Sequence, residues 1–502
     1  MFYGWHSITA VAWLTLGLGT LMHILCVGLV TYHCLQTRRE PTSALLWIFL
    51  AWAFPVLGPF FYLTLGVDRI TRKSFLRAAT ARRLREVRQS REDESLPLAY
   101  WRTVHQAATA CPEDPACASF NRALDAVISD HPLLGGNELD LLISGDELYP
   151  LLFAAIGEAR HHIHLQSFII RNDETGRKLL DLLAQQASRG ITVRVLYDRF
   201  GSSWAVLSGM FRRYRHIRNM HLRGWTLANP LKRQFQLNLR NHRKIAVIDG
   251  RTAFVGGINL SDDNTSCEKL TGFRDYHFKV VGPIVQELQY TFISDWHFIT
   301  GTAPEKLLTE DYFPHIDNLG NIQMRVINSG PSEEMEVMAD VVFLAVTAAR
   351  HQILAVTPYF VPPRELVAAF KAAARRGVDV RLIVPGKNNH FYAGWASRSL
   401  YEELLETGVR IFERREPFLH AKALLIDDML SFVGSANLDV RSLRLNYETN
   451  LAVFDSATAN TLKEVVLDEQ AHSNEINLQE WRRRPAYRRF LENLFHLMTP
   501  VL

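Results

Sequence analysis

A short pattern written twice narrows the architectures open to this sequence more than its length or composition does. His242, Lys244, Asp249, Gly256, Gly257 and Asn259 follow H-x-K-x4-D-x6-G-G-x-N, and His420, Lys422, Asp427, Gly434, Ser435 and Asn437 repeat it with G-S for G-G. Five fixed positions at roughly one in twenty each make even one chance hit a ~10⁻⁴ event in a chain this long. Two hits mark an internal duplication. Each copy carries an imidazole, an ammonium, a carboxylate and an amide, so two copies facing each other can hold one phosphate between two histidines.

The repeat is wider than the motif. Ala159 to Ile163 opens a strand-like run through Ile170, and Ala349 to Ile353 opens another through Phe360. Each leads into a helical stretch and then into Arg-Gly-(Ile/Val)-x-Val-Arg, Arg189 to Arg194 in one copy and Arg376 to Arg381 in the other. Val193–Leu196 and Val380–Val384 read as buried strands. Lys244–Asp249 and Lys422–Asp427 read as strands too, with Ala253–Val255 and Ser431–Val433 as their neighbours. Strands alternating with helices predict an α/β class with one sheet per repeat, the repeats related by a pseudo-two-fold axis that brings the motifs together.

The chemistry follows from the side chains. Alternate residues of a strand share a face, so each histidine projects with the lysine two residues on. Two lysines and the amides of Asn259 and Asn437 stabilise charge moving onto the oxygens of a phosphodiester. One neutral imidazole attacks phosphorus while the other, protonated, supplies the leaving alkoxide with a proton. A phosphohistidine results, open to an alcohol or to water. Each histidine also needs an acceptor on its second nitrogen to fix tautomer and orientation.

The first seventy residues are a different material. Ile8 to Thr31 and Ala44 to Leu65 are two apolar runs of about 20 residues, the length of a membrane-crossing helix, with Trp47, Trp52 and Tyr62 as interface anchors. Pro55, Gly58 and Pro59 should kink the second. Arg38 and Arg39 lie between the runs; Arg69, Arg72, Lys73, Arg77, Arg82, Arg83, Arg85, Arg88 and Arg91 follow them against Asp68 and Glu86. That excess places the remaining mass in the cytoplasm and suits an anionic membrane surface, the alternative being an exposed linker helix with pairs such as Arg82–Glu86. The expected division is 1–68, two transmembrane helices; 69–137, a basic juxtamembrane segment and linker; 138–325, the first repeat; and 326–502, the second with an amphipathic C-terminal segment. Five scattered cysteines without C-x-x-C, Cys26, Cys34, Cys111, Cys117 and Cys267, argue against a disulfide framework.

The duplicated motif resembles that of the phospholipase D superfamily. Thr357 to Pro362, Gly394-Trp395-Ala396-Ser397-Arg398, Asn437 to Ser442, Asn446-Tyr447-Glu448 and the closing Pro500-Val501-Leu502 are similar to bacterial cardiolipin synthases. The resemblance covers nearly the whole chain. It implies two phospholipase D-like α/β repeats behind a transmembrane helical hairpin in a bacterial inner membrane. It also implies that two phosphatidylglycerols give cardiolipin and glycerol, with His242 as nucleophile and His420 as acid. The orienting acids it suggests by position are Asp275 for His242 and Glu448 for His420, which leaves Asp249 and Asp427 to support the motif strands. Trp395 and Arg398 are implied as contacts of the acceptor lipid. One departure is Gly257, where the pattern usually has Ser, so the hydroxyl that Ser435 offers has no counterpart.

Exchanging one phosphodiester for another needs no nucleotide, and the chain has no P-loop and no G-x-G-x-x-G. No cofactor, metal or nucleic-acid partner is expected; a homodimer is open. His161, His162 and His164 are read as structural or surface residues rather than a metal site, and Asp262 and Asp263 as a turn or helix cap. Met210 to Arg215 and Trp481 to Arg484 mix aromatics with cations, and Phe490, Leu491, Leu494, Phe495 and Met498 form a stripe at helical spacing. These segments suit a lipid surface or ordinary core packing equally. A phospholipase D-type hydrolase, with water as acceptor, and a nuclease are the competing activities; a non-catalytic membrane scaffold would need neither motif.

Overall fold

The computed structural model describes residues 3–36, 41–63, 70–90, 99–107, 112, 114–128, 130–225, 240–265, 272–331, 336–497 and 499. The Arg38–Arg39 turn, Asp68, Arg69, Arg91, Cys111, Cys267, Met498 and the final Pro500 to Leu502 lie outside them. The chain divides into two compact units, Met1–Arg72 and Lys73–Leu502.

In the first unit α1 (Tyr3–Gln36) packs against α2 (Pro41–Ala53), which breaks at Phe54–Val56 before the short α3 (Leu57–Phe61). Among the described residues one window, Gly17–Gln36, is long and apolar enough to cross a bilayer by itself. The second run is interrupted at Pro55, as a residue without an N–H requires. Gly58 sits so close to the preceding turn that a Cβ there would lie 2.1 Å from the Leu50 carbonyl. Trp52 is exposed, as an interface anchor would be, but Tyr62 is not: it is buried, its hydroxyl 2.6 Å from His33 Nδ1 and 3.3 Å from Cys34 Sγ. Tyr62 therefore ties the helices together.

The second unit begins along α4 (Ile70–Ser90) and corrects the picture of a purely surface-facing basic segment. Arg77 and Arg88 stand eleven residues apart, three helical turns, and so share a face. That face turns inward. Arg77 pairs with the buried Asp295 and Arg88 with the buried Glu287 at 3.2 Å, both acids on the Ile284–Thr300 helix, while Arg85 meets Asp130 at 3.1 Å. Arg82 and Arg83 remain exposed.

In chain order the first repeat contains β1 (Leu134–Ile143), β2 (His162–Ser167), β3 (Thr192–Asp198), β4 (Met220–Trp225), β5 (Ile245–Ile248), β6 (Thr252–Gly256), β7 (Phe273–Arg274) and β8 (Tyr276–Val281). The second contains β9 (Ile322–Ser329), β10 (Gln352–Val356), β11 (Phe360–Val361), β12 (Asp379–Pro385), β13 (Arg410–Arg414), β14 (Phe418–Leu419), β15 (Ala423–Ile426), β16 (Leu430–Gly434), β17 (Leu438–Asp439), β18 (Glu448–Phe454) and β19 (Ser473–Glu475). The order β1-β8-β6-β5-β2-β3-β4 of the first is matched by β9-β18-β16-β15-β10-β12-β13 in the second. The expectation of one sheet per repeat is corrected in one respect. Antiparallel pairing of β1 with β9, Leu134 against Met324, and of β9 with β18 fuses the two into one fifteen-stranded sheet among the described residues.

Local chemistry explains why the repeats fold alike. In each, a helix (Glu174–Ser188 or Arg364–Arg375) ends at the Arg-Gly dipeptide noted in the sequence, with Gly190 at φ 100° and Gly377 at φ 90°. That left-handed conformation closes the helix at little cost only for glycine and aims the chain into β3 or β12. Those strands pair in parallel with β2 and β10. Their buried Val193, Val195, Val380 and Leu382 supply the core that the hydrophobic runs predict.

Candidate active site

Both motif histidines lie just ahead of a central strand, His242 before β5 and His420 before β15. Asp249 and Asp427 sit at the far ends of those strands, in tight turns with φ 54° and 53°. The Asp249 carboxylate accepts from the N–H groups of Arg160, His161 and His162 at 2.8–3.0 Å. Asp427 does the same for Arg350, His351 and Gln352 at 2.7–2.9 Å. These acids are staples that fix where β2 and β10 start, at the opposite ends of β5 and β15 from the motif histidines.

Asp275 and Glu448 are the carboxylates set against the motif histidines, and the pairing is the reverse of that expected from sequence position. Asp275 Oδ2 lies 2.6 Å from His420 Nδ1, and Glu448 Oε1 lies 3.2 Å from His242 Nδ1. The backbone explains the crossing. The N–H of His420 donates to the Arg274 carbonyl at 2.8 Å, because β14 pairs in parallel with β7. The N–H of His242 donates to the Tyr447 carbonyl at 2.9 Å, beside a parallel bridge between Asn241 and Tyr447. Each histidine is thus laid on the segment that precedes the other repeat's acid.

The lysines complete a cationic floor. Lys422 Nζ lies 3.3 Å from Asp275 Oδ2 and 2.7 Å from His420 Nδ1, and also donates to the His420 carbonyl. Lys244 Nζ donates to the His242 carbonyl at 2.7 Å. Burial pushes the Lys244 ammonium down to about 8, with Lys422 adding like-charge repulsion against the attraction of Glu448 and Asp275. Burial lowers Lys422 as well. Asp275 and Glu448 are buried, which opposes ionisation, yet Lys422 beside the one and His242 beside the other hold both carboxyls below their ordinary range. Burial, then Lys422, brings His420 down to about 4, so its imidazole is neutral at neutral pH.

The two halves differ in detail. Ser435 Oγ donates to Glu448 Oε2 at 2.6 Å, so this hydroxyl braces the acid behind His242. At Gly257, the matching position, a Cβ would stand 2.2 Å from Asp275 Oδ1. The missing hydroxyl is therefore space occupied by the shorter acid. Asn259 Oδ1 accepts from the Ile169 N–H at 3.2 Å, and Asn437 Nδ2 donates to Ser442 Oγ at 3.2 Å, so one amide is held by the segment after β2 and the other by the short Val440–Arg444 helix.

Trp395 and Arg398 stand on the Phe391–Arg398 helix and line its neighbouring cavity. Arg398 is engaged by Glu413 at 2.9 Å and by the Gly386 carbonyl at 2.8 Å, and with Trp395 it lines a cavity of about 190 Å³ beside Pro358 and Asn388. Position-by-position reading passed over the rings that pack the histidines. Phe168 lies 4.1 Å from the His242 ring, and Phe273, Phe418 and Tyr359 lie 5.7, 5.9 and 6.2 Å from that of His420. Asn446, quoted within a motif but given no role, places Nδ2 3.3 Å from His242 Nδ1 and 3.4 Å from Glu448 Oε1. His162 and His164 are core residues, His162 edge-on to Tyr312 and His164 stacked on Phe292, both held by Gln289. Asp262 caps the Glu174–Ser188 helix through the N–H groups of Glu174 and Thr175.

Comparison with known proteins adds to this geometry. Residues 152–296 and 344–468 match the family described as cardiolipin synthase, PLD-like domain, and residues 24–66 match the phospholipase D-nuclease N-terminal family. A cardiolipin synthase of Geobacillus thermodenitrificans is 33% identical over 97% of this chain and 94% of its own length. One from Geobacillus kaustophilus is 34% identical over 93% and 90%. Among solved structures, a phosphatidylserine synthase of Haemophilus influenzae superposes with a TM-score of 0.57 at 17% identity, over 76% of this chain and 98% of that one, a likeness of fold.

Proposed function

This chain belongs to the cardiolipin synthase family of phospholipase D-like enzymes, and we propose that it joins two phosphatidylglycerols into cardiolipin and glycerol. The observation that carries the reading is the pair of histidines, each with Nδ1 turned to a buried carboxylate of the opposite repeat. With Nδ1 so engaged, each Nε2 is the nitrogen offered to the substrate, that of His420 standing 3.3 Å from Lys422 Nζ. A phosphodiester between them meets Lys244 and Lys422 at its non-bridging oxygens.

His242 Nε2 attacks phosphorus and the bond to the leaving glycerol oxygen breaks, with His420 delivering the proton that releases glycerol. The glycerol hydroxyl of the second lipid then attacks the phosphohistidine. Its proton passes to His420, the P–N bond breaks, and cardiolipin departs. His420 is neutral in the empty site, so its acid role requires the arriving phosphate anion to offset Lys422 and favour the imidazolium. The chain is membrane-associated; as a multi-pass anchor, α1 with the kinked α2–α3 segment would leave the catalytic unit on the cytoplasmic side.

The test is to incubate the full chain with phosphatidylglycerol vesicles, without nucleotide, beside the His242→Ala variant. Cardiolipin and glycerol, absent in the variant, are the expected products by mass spectrometry. Phosphatidic acid alone would make the enzyme a hydrolase, and normal turnover by the variant would refute the mechanism.

A further inference from the structure

Two exposed apolar patches occupy equivalent places in the two repeats. After β3 the chain enters the Ser203–Leu207 helix and leaves Phe200, Trp204 and Leu207 61%, 70% and 80% exposed. After β12 it enters the Phe391–Arg398 helix, with Phe391 64% exposed. The C-terminal Ala486–His496 helix packs on that second helix, Phe495 against Phe391 at 5.6 Å, and exposes Phe490, Leu494 and Leu497. The stripe noted in the sequence is thus split, with Phe490 and Leu494 facing out. The Met210–Arg215 segment also sorts its two kinds of residue: Met210, Phe211 and Tyr214 are buried while its arginines face solvent.

Each patch leads by ring contacts to a different histidine. Arg240, two residues before His242, lies over the Phe200 ring at 3.8 Å, and the Phe168 ring packs at a tilt on His242 itself. On the other side Phe391, Tyr392, His390 and Tyr359 touch in succession at 5.4–5.6 Å and end on His420. Phe200, Trp204 and Leu207 follow β3, and Phe391 follows β12, the equivalent strand of the other repeat. Large apolar tips exposed to water are costly for a protein surface and mark a contact. Exposed arginines flank both, Arg212 and Arg213 on one side and Arg483, Arg488 and Arg489 on the other. Apolar tips among cations complement an anionic headgroup layer, the tips entering the acyl boundary while the cations meet the phosphates.

We propose that the catalytic unit rests on an anionic bilayer through these two patches, so that both lipid headgroups reach the histidines directly from the membrane plane. This rests on the phosphatidyl-transfer reading, but its decisive test does not use turnover. The full chain is reconstituted in phosphatidylglycerol nanodiscs with an environment-sensitive NBD label on cysteine in Leu207→Cys or Leu497→Cys, and the labelled unsubstituted chain sets the background. Quenching at both positions by lipids spin-labelled near the headgroup is expected, together with loss of that quenching when the nanodiscs are phosphatidylcholine alone. Labels that stay unquenched in phosphatidylglycerol overturn the proposal. So do labels that become shielded in detergent as protein concentration rises, which would assign the patches to a second copy of the chain. A second readout compares Trp204→Ser/Leu207→Ser and Phe490→Ser/Leu494→Ser with the parent chain. Turnover in nanodiscs should fall about tenfold while turnover of monomeric short-chain phosphatidylglycerol holds. Equal losses on both substrates would mark the patches as structural and refute the docking role.

Discussion

Replacing Gly257 with serine, the residue usual at this place in the superfamily, should damage this enzyme. The new Cβ would stand 2.2 Å from Asp275 Oδ1 and 2.7 Å from its Cγ. Asp275 cannot yield freely, because Oδ1 accepts from the Tyr276 N–H at 2.8 Å while Oδ2 holds His420 at 2.6 Å and Lys422 at 3.3 Å. Relief of the clash must therefore loosen the acid from His420. A hydrogen bond to a charged group contributes about 1.5–3 kcal/mol, so turnover should fall roughly ten- to 150-fold. The assay is the initial rate of glycerol release from phosphatidylglycerol, with the thermal midpoint recorded alongside. Gly257→Ala should lose about as much, since the obstacle is the Cβ and not the hydroxyl. Ser435→Gly should lose less, because Glu448 keeps His242 and Asn446 when the brace is removed. A fully active Gly257→Ser chain would refute this account of the site, and so would harm from alanine without harm from serine.

The crossed pairs make Asp275→Asn and His420→Ala non-additive in stability by about 0.5–3 kcal/mol, whereas Asp275→Asn and His242→Ala should add to within about 0.5; denaturation midpoints of the two cycles decide between crossed and uncrossed pairing. Asp295→Ala leaves Arg77 and Arg243 buried without their shared acid and should destabilise the catalytic unit by about 3–5 kcal/mol, read as a lowered thermal midpoint. His162 and His277, each brought down to about 3 by burial, and His420, down to about 4, are neutral when folded but protonate near 6.5 when unfolded. The unfolded chain then binds more protons, so stability is full above about pH 6.5 and declines as pH falls toward 4. The lowered carboxyls of Asp275 and Glu448 extend the decline at still lower pH, and a thermal midpoint that is flat or rising from pH 7 to 4 would contradict this.

What the sequence made legible is local. The histidine, lysine and acid of each motif lie along one strand, the segment leading into it and the turn that ends it, so their spacing reports their geometry directly. The Arg-Gly dipeptides likewise announced helix ends. The crossing was not legible, because it depends on parallel pairing between segments far apart in the chain, Phe273–Arg274 with Phe418–Leu419 and Asn241 with Tyr447. Arginine counts along α4 signalled charge but not direction; only the packed helix shows Arg77 and Arg88 spent on Asp295 and Glu287. The ion pair of Arg398 was hidden for the same reason, since its partner Glu413 lies on β13.

The crossed acids have a consequence for the ancestry of the chain. Neither repeat, taken alone, contains a finished histidine–acid pair, so an ancestor of one repeat could work only by meeting its own copy and trading carboxylates. Fusion removed the need for the two neighbourhoods to stay identical. The chain shows the result, glycine beside a short acid serving one histidine and serine beside a longer acid serving the other. Drift in either repeat is consequently judged by the chemistry of its twin.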